Sequence, residues 1–500
     1  MTITVTRTAE APASVRSVLP LAVGVGVYFL LLFAGNRLLN DPDTHWQITI
    51  GRWILAHGMV PESDIYSFTM AGHSWISTQW LAQVAFALAH RVAGWTGPMV
   101  LAAGAIATTF ALLAKFLSAR LTPAATVMAV VGALVLTAAH LLARPHVLAL
   151  PVLVVWVGGL IAAADRGEAP SPWLLPLMTL WANLHGGFVF GLAFIAPIAL
   201  DAVWRKDPAA RKSLAWRWTG FACAALAASC ITPYGWNALL ASGKILSLGQ
   251  ALPLIGEWHP VSFGRLGAVE ICLLGLLGLA LCRGVTLPPL RIVLLLGLLH
   301  MALSAVRNLE VLALVAPIVL AAPLARQIGG PDDAGEPRRP TLLRVAAALW
   351  ICAATPLMAS LGHYAPADRN SPVAAVAELK RLHVSRVFND YDFGGYLIAN
   401  DVPTFIDGRT ELFGEKFVVD HHLASELIEP DQFFTMLKDY KIEATLLRTQ
   451  SAAAKLLDHL DGWRKVYGDG IATIHLRRPG AVAPRRADDQ SNGTESLTPH

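Results

Sequence analysis

Charge is what this chain has least of. Only 15% of its 500 residues are Asp, Glu, Lys or Arg, while 55% are hydrophobic; soluble domains run at about 25% charged and roughly 45–50% apolar. The imbalance excludes an ordinary soluble globule and leaves a polytopic membrane protein. The net charge of +4 is small, and the basic residues are scattered over short loops with no stripe among them, which excludes nucleic acid as a partner. Cysteine is equally sparse. The five present (Cys223, Cys230, Cys272, Cys282 and Cys352) lie in or beside apolar segments without ligand spacing. They make neither a disulfide framework nor a thiolate metal site and read as small core residues.

What is present is a series of apolar runs. A spanning helix takes about 20 mostly apolar residues, and about eleven segments meet that measure: 18–39, 98–119, 123–142, 146–164, 173–185, 187–204, 214–232, 266–282, 288–304, 308–325 and 341–361. The first is read as an uncleaved helix, because it is long and lacks a small-residue cleavage site. Basic residues concentrate on one side of these spans, among them Arg7, Arg16, Arg120, Arg166, Arg205, Arg211, Arg283, Arg291 and Arg326. By the positive-inside rule that side is cytoplasmic. An odd span number then places the 40–97 loop and the chain after Leu361 outside, in the periplasm of a two-membrane bacterium. The expected organisation is a cytoplasmic segment at 1–17, a transmembrane domain at 18–361, an outer α/β domain at 362–478 and a disordered tail at 479–500, with a flexible linker from Gly329 to Pro340.

Two carboxylates sit where the first apolar run ends, in Asn40-Asp41-Pro42-Asp43-Thr44-His45-Trp46. After them Trp46, Ile50, Trp53, Ile54 and His57 share one helical face, and a second such stretch follows from Trp75 to Ala93; both read as helices lying in the membrane interface. Asp41 and Asp43 serve either as helix caps or as a general base beside a lipid-borne substrate, and Asp43 is the better placed to cap. Polar groups recur at the same expected level: Arg144 and His146, Asn183 and His185, Tyr234, Glu257 and His259, and Arg307 with Glu310. Arginine pairs well with phosphate oxygens and is costly in a membrane, at about 2.5–3.5 kcal/mol on insertion scales. Snorkelling to headgroups is the bland alternative. A hard divalent cation, Mg or Mn, on Asp41 and Asp43 stays open, although no spacing resembles a metal motif.

The outer domain alternates short strands and helices. Strands are expected at Arg386–Asn389, Thr404–Ile406, Ala444–Leu447 and Ile471–Leu476, and helices from Ser371-Pro372 to His383, at Pro430–Tyr440 and at Ala452–Leu460. Asp390, Asp392, Asp407 and Arg409 fall at the ends of strands, where α/β domains place ligand contacts, and equally where Asp and Gly make turns.

These features together resemble the GT-C superfamily of polytopic membrane glycosyltransferases. The likeness rests on Asp41-Pro42-Asp43 after the first span, the two interfacial helices, the many-span core and the outer domain. The runs Asp41 to Trp46, Trp181-Ala182-Asn183-Leu184-His185-Gly186-Gly187 and Phe405-Ile406-Asp407-Gly408-Arg409 are also similar to those of a bacterial subgroup without an assigned function. The resemblance implies a polyprenyl-phosphate-linked sugar as donor and a first-loop aspartate as base on the acceptor. The Trp-Trp-Asp signature of the oligosaccharyltransferases is missing. The reading is therefore an inner-membrane glycosyltransferase acting at the periplasmic face on a lipid, glycan or protein acceptor. Its rivals are a transporter or flippase of a lipid-linked substrate, which needs polar groups at mid-depth, and a non-catalytic envelope scaffold.

Overall fold

The computed structural model describes residues 13–245, 248–254, 256–328 and 341–478. The expected linker at 329–340, the tail at 479–500 and residues 1–12 lie outside the described residues. The chain divides into two compact units. One holds the residues up to Ser63 together with Ser74–Ala367, and the other holds Asp64–His73 together with the chain from Asp368 onward.

The first unit is helical. Its principal elements are α1 (Ala13–Phe33), α2 (Asp43–His57), α3 (Trp80–Ala93), α4 (Thr96–Ser118), α5 (Pro123–Thr137), α6 (Pro145–Arg166), α7 (Leu175–Leu184), α8 (Phe188–Trp204), α9 (Pro208–Ser229), α10 (Ala268–Arg283), α11 (Pro289–Ser304), α12 (Leu309–Ile328) and α13 (Thr341–Gly362). Prolines 123, 145, 208 and 289 each open a helix, where the missing N–H has no intrahelical partner to lose. Every expected apolar segment is a helix, and among the described residues five are both long and apolar enough to cross a membrane: Arg16–Phe33, Thr96–Ser118, Pro145–Arg166, Val306–Gln327 and Leu343–Gly362. Helices α5, α8 and α11 are apolar but run for 15, 17 and 16 residues. Against the expected count of about eleven, the remaining apolar segments form helices that are shorter or less apolar. The core is centred on α4, which packs against α1 and α6. The cysteines are not core residues: Cys223, Cys282 and Cys352 are exposed and the other two partly so.

Helices α2 and α3 form a tight pair. A Cβ on Gly51 would fall 2.0 Å from the carbonyl oxygen of Gln83, so only glycine permits this approach. Polar groups lie between them: Gln83 Nε2 donates to Gln47 Oε1 at 2.8 Å, and Ser77 Oγ donates to Gln83 Oε1 at 2.9 Å. The expected apolar face of α2 splits. Trp46, Ile50 and Ile54 are buried, whereas exposed His57 stacks on Trp53 with ring centroids 4.2 Å apart. The second interfacial helix starts at Trp80, later than expected, because the Trp75 N–H pairs with the Glu62 carbonyl at 3.0 Å in extended chain.

The C-terminal end of α6 is fastened by ion pairs. Arg291, almost wholly buried, donates from Nε to Asp201 Oδ2 and from Nη1 to the Val319 carbonyl, both at 3.0 Å, and pairs with Asp165. Arg205 Nη2 reaches Asp201 Oδ2 at 2.8 Å. These arginines do more than set topology: they tie α6, α8, α11 and α12 to one another.

The second unit carries a four-stranded mixed sheet, β1 (Val387–Asn389), β2 (Ala444–Arg448), β3 (Trp463–Gly468) and β4 (Ala472–Arg477), in the order β1-β2-β4-β3. The first two strands pair in parallel and the others antiparallel. Around it lie α14 (Val373–Leu382), α15 (Gly394–Ala399), α16 (Thr410–Ser425), α17 (Pro430–Asp439) and α18 (Ala452–Leu457). Two expectations are corrected. Thr404–Ile406 is not a sheet strand; Thr404 makes an isolated bridge with Ser67. Helix α14 opens one residue later than expected, with Pro372 and not Ser371 at its N-cap. Helix α16 was not foreseen, since Gly414 interrupts it with φ of 76°.

Asp407 and Arg409 do not line an opening. Arg409 is fully buried and donates from Nε and Nη2 to both oxygens of Asp407, at 2.8 and 2.7 Å, and from Nη1 to Asp64 at 2.5 Å. Removing one member of such a set strands the others without compensation. Arg409→Met is therefore expected to cost about 3–5 kcal/mol, read from denaturant unfolding of the full chain in detergent. A loss below about 1 kcal/mol, the scale of an exposed ion pair, would show that the triad does not hold the unit together.

Candidate active site

The first unit gathers most of the expected site residues at the N-terminal end of α6. Local chemistry puts them there. Proline at position 145 forces Arg144 into an extended conformation, with φ −119° and ψ 158°, at the helix mouth. The backbone beside it is tied to the first loop: the Ala143 N–H donates to the Leu38 carbonyl at 2.6 Å, and Thr44 Oγ1 donates to the Ala143 carbonyl at 3.2 Å. Asp41 and Asp43 thus meet Arg144 although about a hundred residues separate them.

Arg144 is the hub. Its Nη2 donates to Asp43 Oδ2 at 2.5 Å, its Nε lies 3.3 Å from Asp41 Oδ2, and its Nη1 donates to Glu257 Oε2 at 2.7 Å. The other oxygen of Glu257 accepts from Arg307 Nη1 at 2.8 Å, and the Arg307 guanidinium lies over the Trp258 ring, 4.4 Å from its centroid. Three carboxylates and two guanidinium groups are therefore linked through Arg144 and Glu257 in one chain of charge-assisted contacts ending at Arg307.

The two aspartates divide their work differently from the expectation. Asp41, buried at 3% exposure, accepts the Asp43 N–H at 2.7 Å, so Asp41 is the residue that satisfies the first turn of α2. Asp43 accepts from the Trp46 indole N–H at 2.9 Å as well as from Arg144 and caps nothing. Burial pushes the Asp43 carboxyl up to about 7, against the pull of Arg144 and with the help of neighbouring Asp41. Burial also works to raise Glu257, but Arg144 and Arg307 outweigh it and hold that carboxyl at about 2. One acid here stays ionised and another changes state near neutrality, the arrangement proton transfer requires.

A second layer backs the cluster. His146 Nε2 meets the His140 carbonyl at 3.0 Å and lies 3.5 Å from Glu310. The His185 ring is 6.1 Å from that of His146, and His185 Nδ1 accepts the Gly187 N–H at 3.0 Å. His140, half-buried with its Nε2 atom enclosed and without a hydrogen-bond partner, was missed by sequence reasoning, and only its spacing before Arg144 and His146 could have signalled it.

Three expected site residues serve elsewhere. Both amide hydrogens of Asn183 go to backbone, the Thr179 and Ile231 carbonyls at 2.7 and 2.9 Å, and its oxygen accepts from Trp80 Nε1 at 2.7 Å. It has no hydrogen left for a phosphate and instead supports a mostly apolar groove of about 530 Å³ beside Trp80, Pro176, Leu180 and Ile231. His259 is exposed and contributes its carbonyl to the Val306 N–H at 2.9 Å. Tyr234 donates to the Pro61 carbonyl at 2.8 Å and accepts the Ser77 N–H at 3.3 Å, pinning two loops. In the second unit Asp390 and Asp392 mark the end of β1, where Arg448 Nη2 donates to Asp392 at 2.6 Å and Nε lies 3.5 Å from Asp390. Burial raises Asp390 to about 6 despite Arg448.

A divalent cation on Asp41 and Asp43 does not fit these residues. The guanidinium of Arg144 occupies the point on which the carboxylates converge, and among the described residues no group of three or more His, Cys, Asp or Glu is arranged to hold a metal.

No family model matches the chain, and no curated protein does. Among the solved structures that match, two resemble it along most of its length. The oligosaccharyltransferase AglB from Archaeoglobus fulgidus, in complex with an inhibitory peptide and a dolichol-phosphate, covers 94% of this chain and 75% of its own at 11% identity and a TM-score of 0.46. ArnT from Cupriavidus metallidurans, bound to undecaprenyl phosphate, covers 95% and 100% at 13% identity and a TM-score of 0.30. Both belong to the GT-C superfamily. Likenesses this slight carry no residue role across.

The raised carboxyl can be observed directly. An infrared titration of the purified chain, taken as the difference between parent and Asp43→Asn so that Asp390, raised to about 6, cancels, should show a protonated-carboxyl component that is full below pH 6 and lost as pH rises through about 7. A band lost near pH 4 instead, the ordinary aspartate range of about 3.9, would show that Arg144 outweighs burial.

Proposed function

We propose that the chain is a membrane glycosyltransferase that moves a sugar from a polyprenyl-phosphate carrier to a lipid, glycan or protein acceptor at the periplasmic face of the inner membrane. The observation that carries this reading is the Asp43–Arg144–Glu257–Arg307 chain, which sets a carboxyl that titrates near neutrality beside two guanidinium groups at the mouth of α6. Glu257 presents one oxygen to each arginine, as two phosphate oxygens would. A donor phosphate takes that place. Asp43 accepts the proton of the acceptor hydroxyl as its oxygen bonds to the anomeric carbon, and the bond from that carbon to the phosphate oxygen breaks. The electron pair goes to the phosphate, whose growing charge the arginines stabilise.

The distribution of charge favours this over a flippase. Along α6, charged residues stand at its two ends, and from Val147 to Ala164 the helix is uncharged. Over that length, about 1.5 Å per residue, it offers no polar steps for a headgroup crossing the membrane.

Asp43→Asn should fold and insert like the parent yet lose turnover of a polyprenyl-phosphate sugar by about 10²-fold or more, the usual weight of a general base. Asp41→Asn should retain more activity, because asparagine accepts a helix N–H about as well as aspartate. If both variants stay within about threefold of the parent, well below the effect of losing a base, Asp43 is not the base. The acceptor class is identified by mass spectrometry of envelope lipids and glycans from a strain lacking the gene, in which one sugar should be missing. The proposed orientation requires a periplasm-dependent reporter to work when fused after Gly362 and to fail when fused in the 329–340 stretch; the reverse pattern would put the site on the cytoplasmic side.

A further inference from the structure

A divalent cation in a phosphate-handling site draws acidic side chains together and takes up negative charge from the phosphate. Arg144 offers a guanidinium with separate edges for the two tasks. Nε and Nη2 face the aspartates, 3.3 Å from Asp41 Oδ2 and 2.5 Å from Asp43 Oδ2, and Nη1 faces Glu257 Oε2 at 2.7 Å, the oxygen whose partner atom is held by Arg307. The planar fork keeps these directions fixed, which an ammonium group on a flexible stem does not. Proline at 145 and the hydrogen bonds from Ala143 to Leu38 and from Thr44 to Ala143 hold the backbone that delivers it. A Mg or Mn ion bound to the same carboxylates would lie against this positive charge and compete with it for every oxygen.

We infer that Arg144 takes the place of a divalent cation, so that Asp41, Asp43 and Glu257 bind no Mg²⁺ or Mn²⁺ and the site handles a phosphate-bearing substrate without one. The handling of phosphate rests on the glycosyl-transfer reading; the exclusion of metal does not. With the guanidinium in place the three carboxylates are held apart around it; removing it leaves them without a cation and free to close on a hard ion through oxygen donors.

The test is a Mn²⁺ titration of the detergent-solubilised full chain, followed by electron paramagnetic resonance of the free ion. The parent should leave Mn²⁺ free at concentrations up to about 10⁻³ M, and Arg144→Ala should take up one ion per chain with a Kd of about 10⁻⁴ M or below, the range of modest carboxylate sites. Adding Asp43→Asn to that variant should abolish the uptake. Stoichiometric binding by the parent that Asp43→Asn removes would overturn the inference, and so would an Arg144→Ala chain with parental tryptophan emission that binds no ion. Should Arg144→Ala not fold, the parent titration with its Asp43→Asn control decides alone. In a turnover assay, chelator should leave the parent rate within about twofold, small beside the several kcal/mol a catalytic metal supplies; a loss restored by Mn²⁺ would overturn the inference. Absence of sugar transfer under every condition would defeat the function proposed above and leave the Mn²⁺ titration standing.

Discussion

One guanidinium shared among three carboxylates governs the polar end of the first unit. Arg144 joins the loop after α1, the mouth of α6 and the turn that bears Glu257, so the geometry of each depends on the other two. The arrangement is favourable because it is only partly desolvated: the Arg144 side chain keeps 23% of its surface exposed and Glu257 24%. A fully buried version, as around Arg409, gains Coulomb energy but meets a desolvation penalty of similar size. The first cluster can exchange a partner for a ligand, whereas the second is closed on itself.

The order of residues around the hub also explains how neighbouring carboxyls come to differ. Asp43 and Glu257 touch the same guanidinium, yet Glu257 has a second arginine and Asp43 has an indole N–H and another aspartate. Burial then separates them, raising one and failing to raise the other. The proton capacity of Asp43 comes from what surrounds the pair more than from the pair itself.

Much of this was legible in the chain. Apolar length located the helices, and the Arg144-Pro145 pair located the mouth of α6, because proline restricts both itself and the residue before it. The assignment of roles to Asp41 and Asp43 was not legible. Spacing favours Asp43 as the cap, but the cap is whichever carboxylate reaches the N–H, and only three-dimensional placement decides that. Asn183 looked like a site residue for the same reason: sequence shows an amide at a helix end and does not show that Trp80 and two carbonyls consume it. The strand expected at Thr404–Ile406 failed because its partner is the 64–73 segment, more than three hundred residues earlier. Strand β3 was missed because its residues are largely exposed and show no alternation.

Ion clusters at both ends of α6 have a mechanical consequence. The helix has 22 residues, which at 1.5 Å each is about 33 Å, close to the roughly 30 Å of a bilayer's hydrocarbon layer. Arg144 fastens one end and the Asp165–Arg291–Asp201 set the other, so α6 cannot slide along its neighbours to follow a change in membrane thickness. A thinner or thicker bilayer must bend around a strut of fixed length, or tilt the whole bundle with it. The acyl-chain length of the host membrane thereby becomes a variable to which the spacing of the polar cluster is tied.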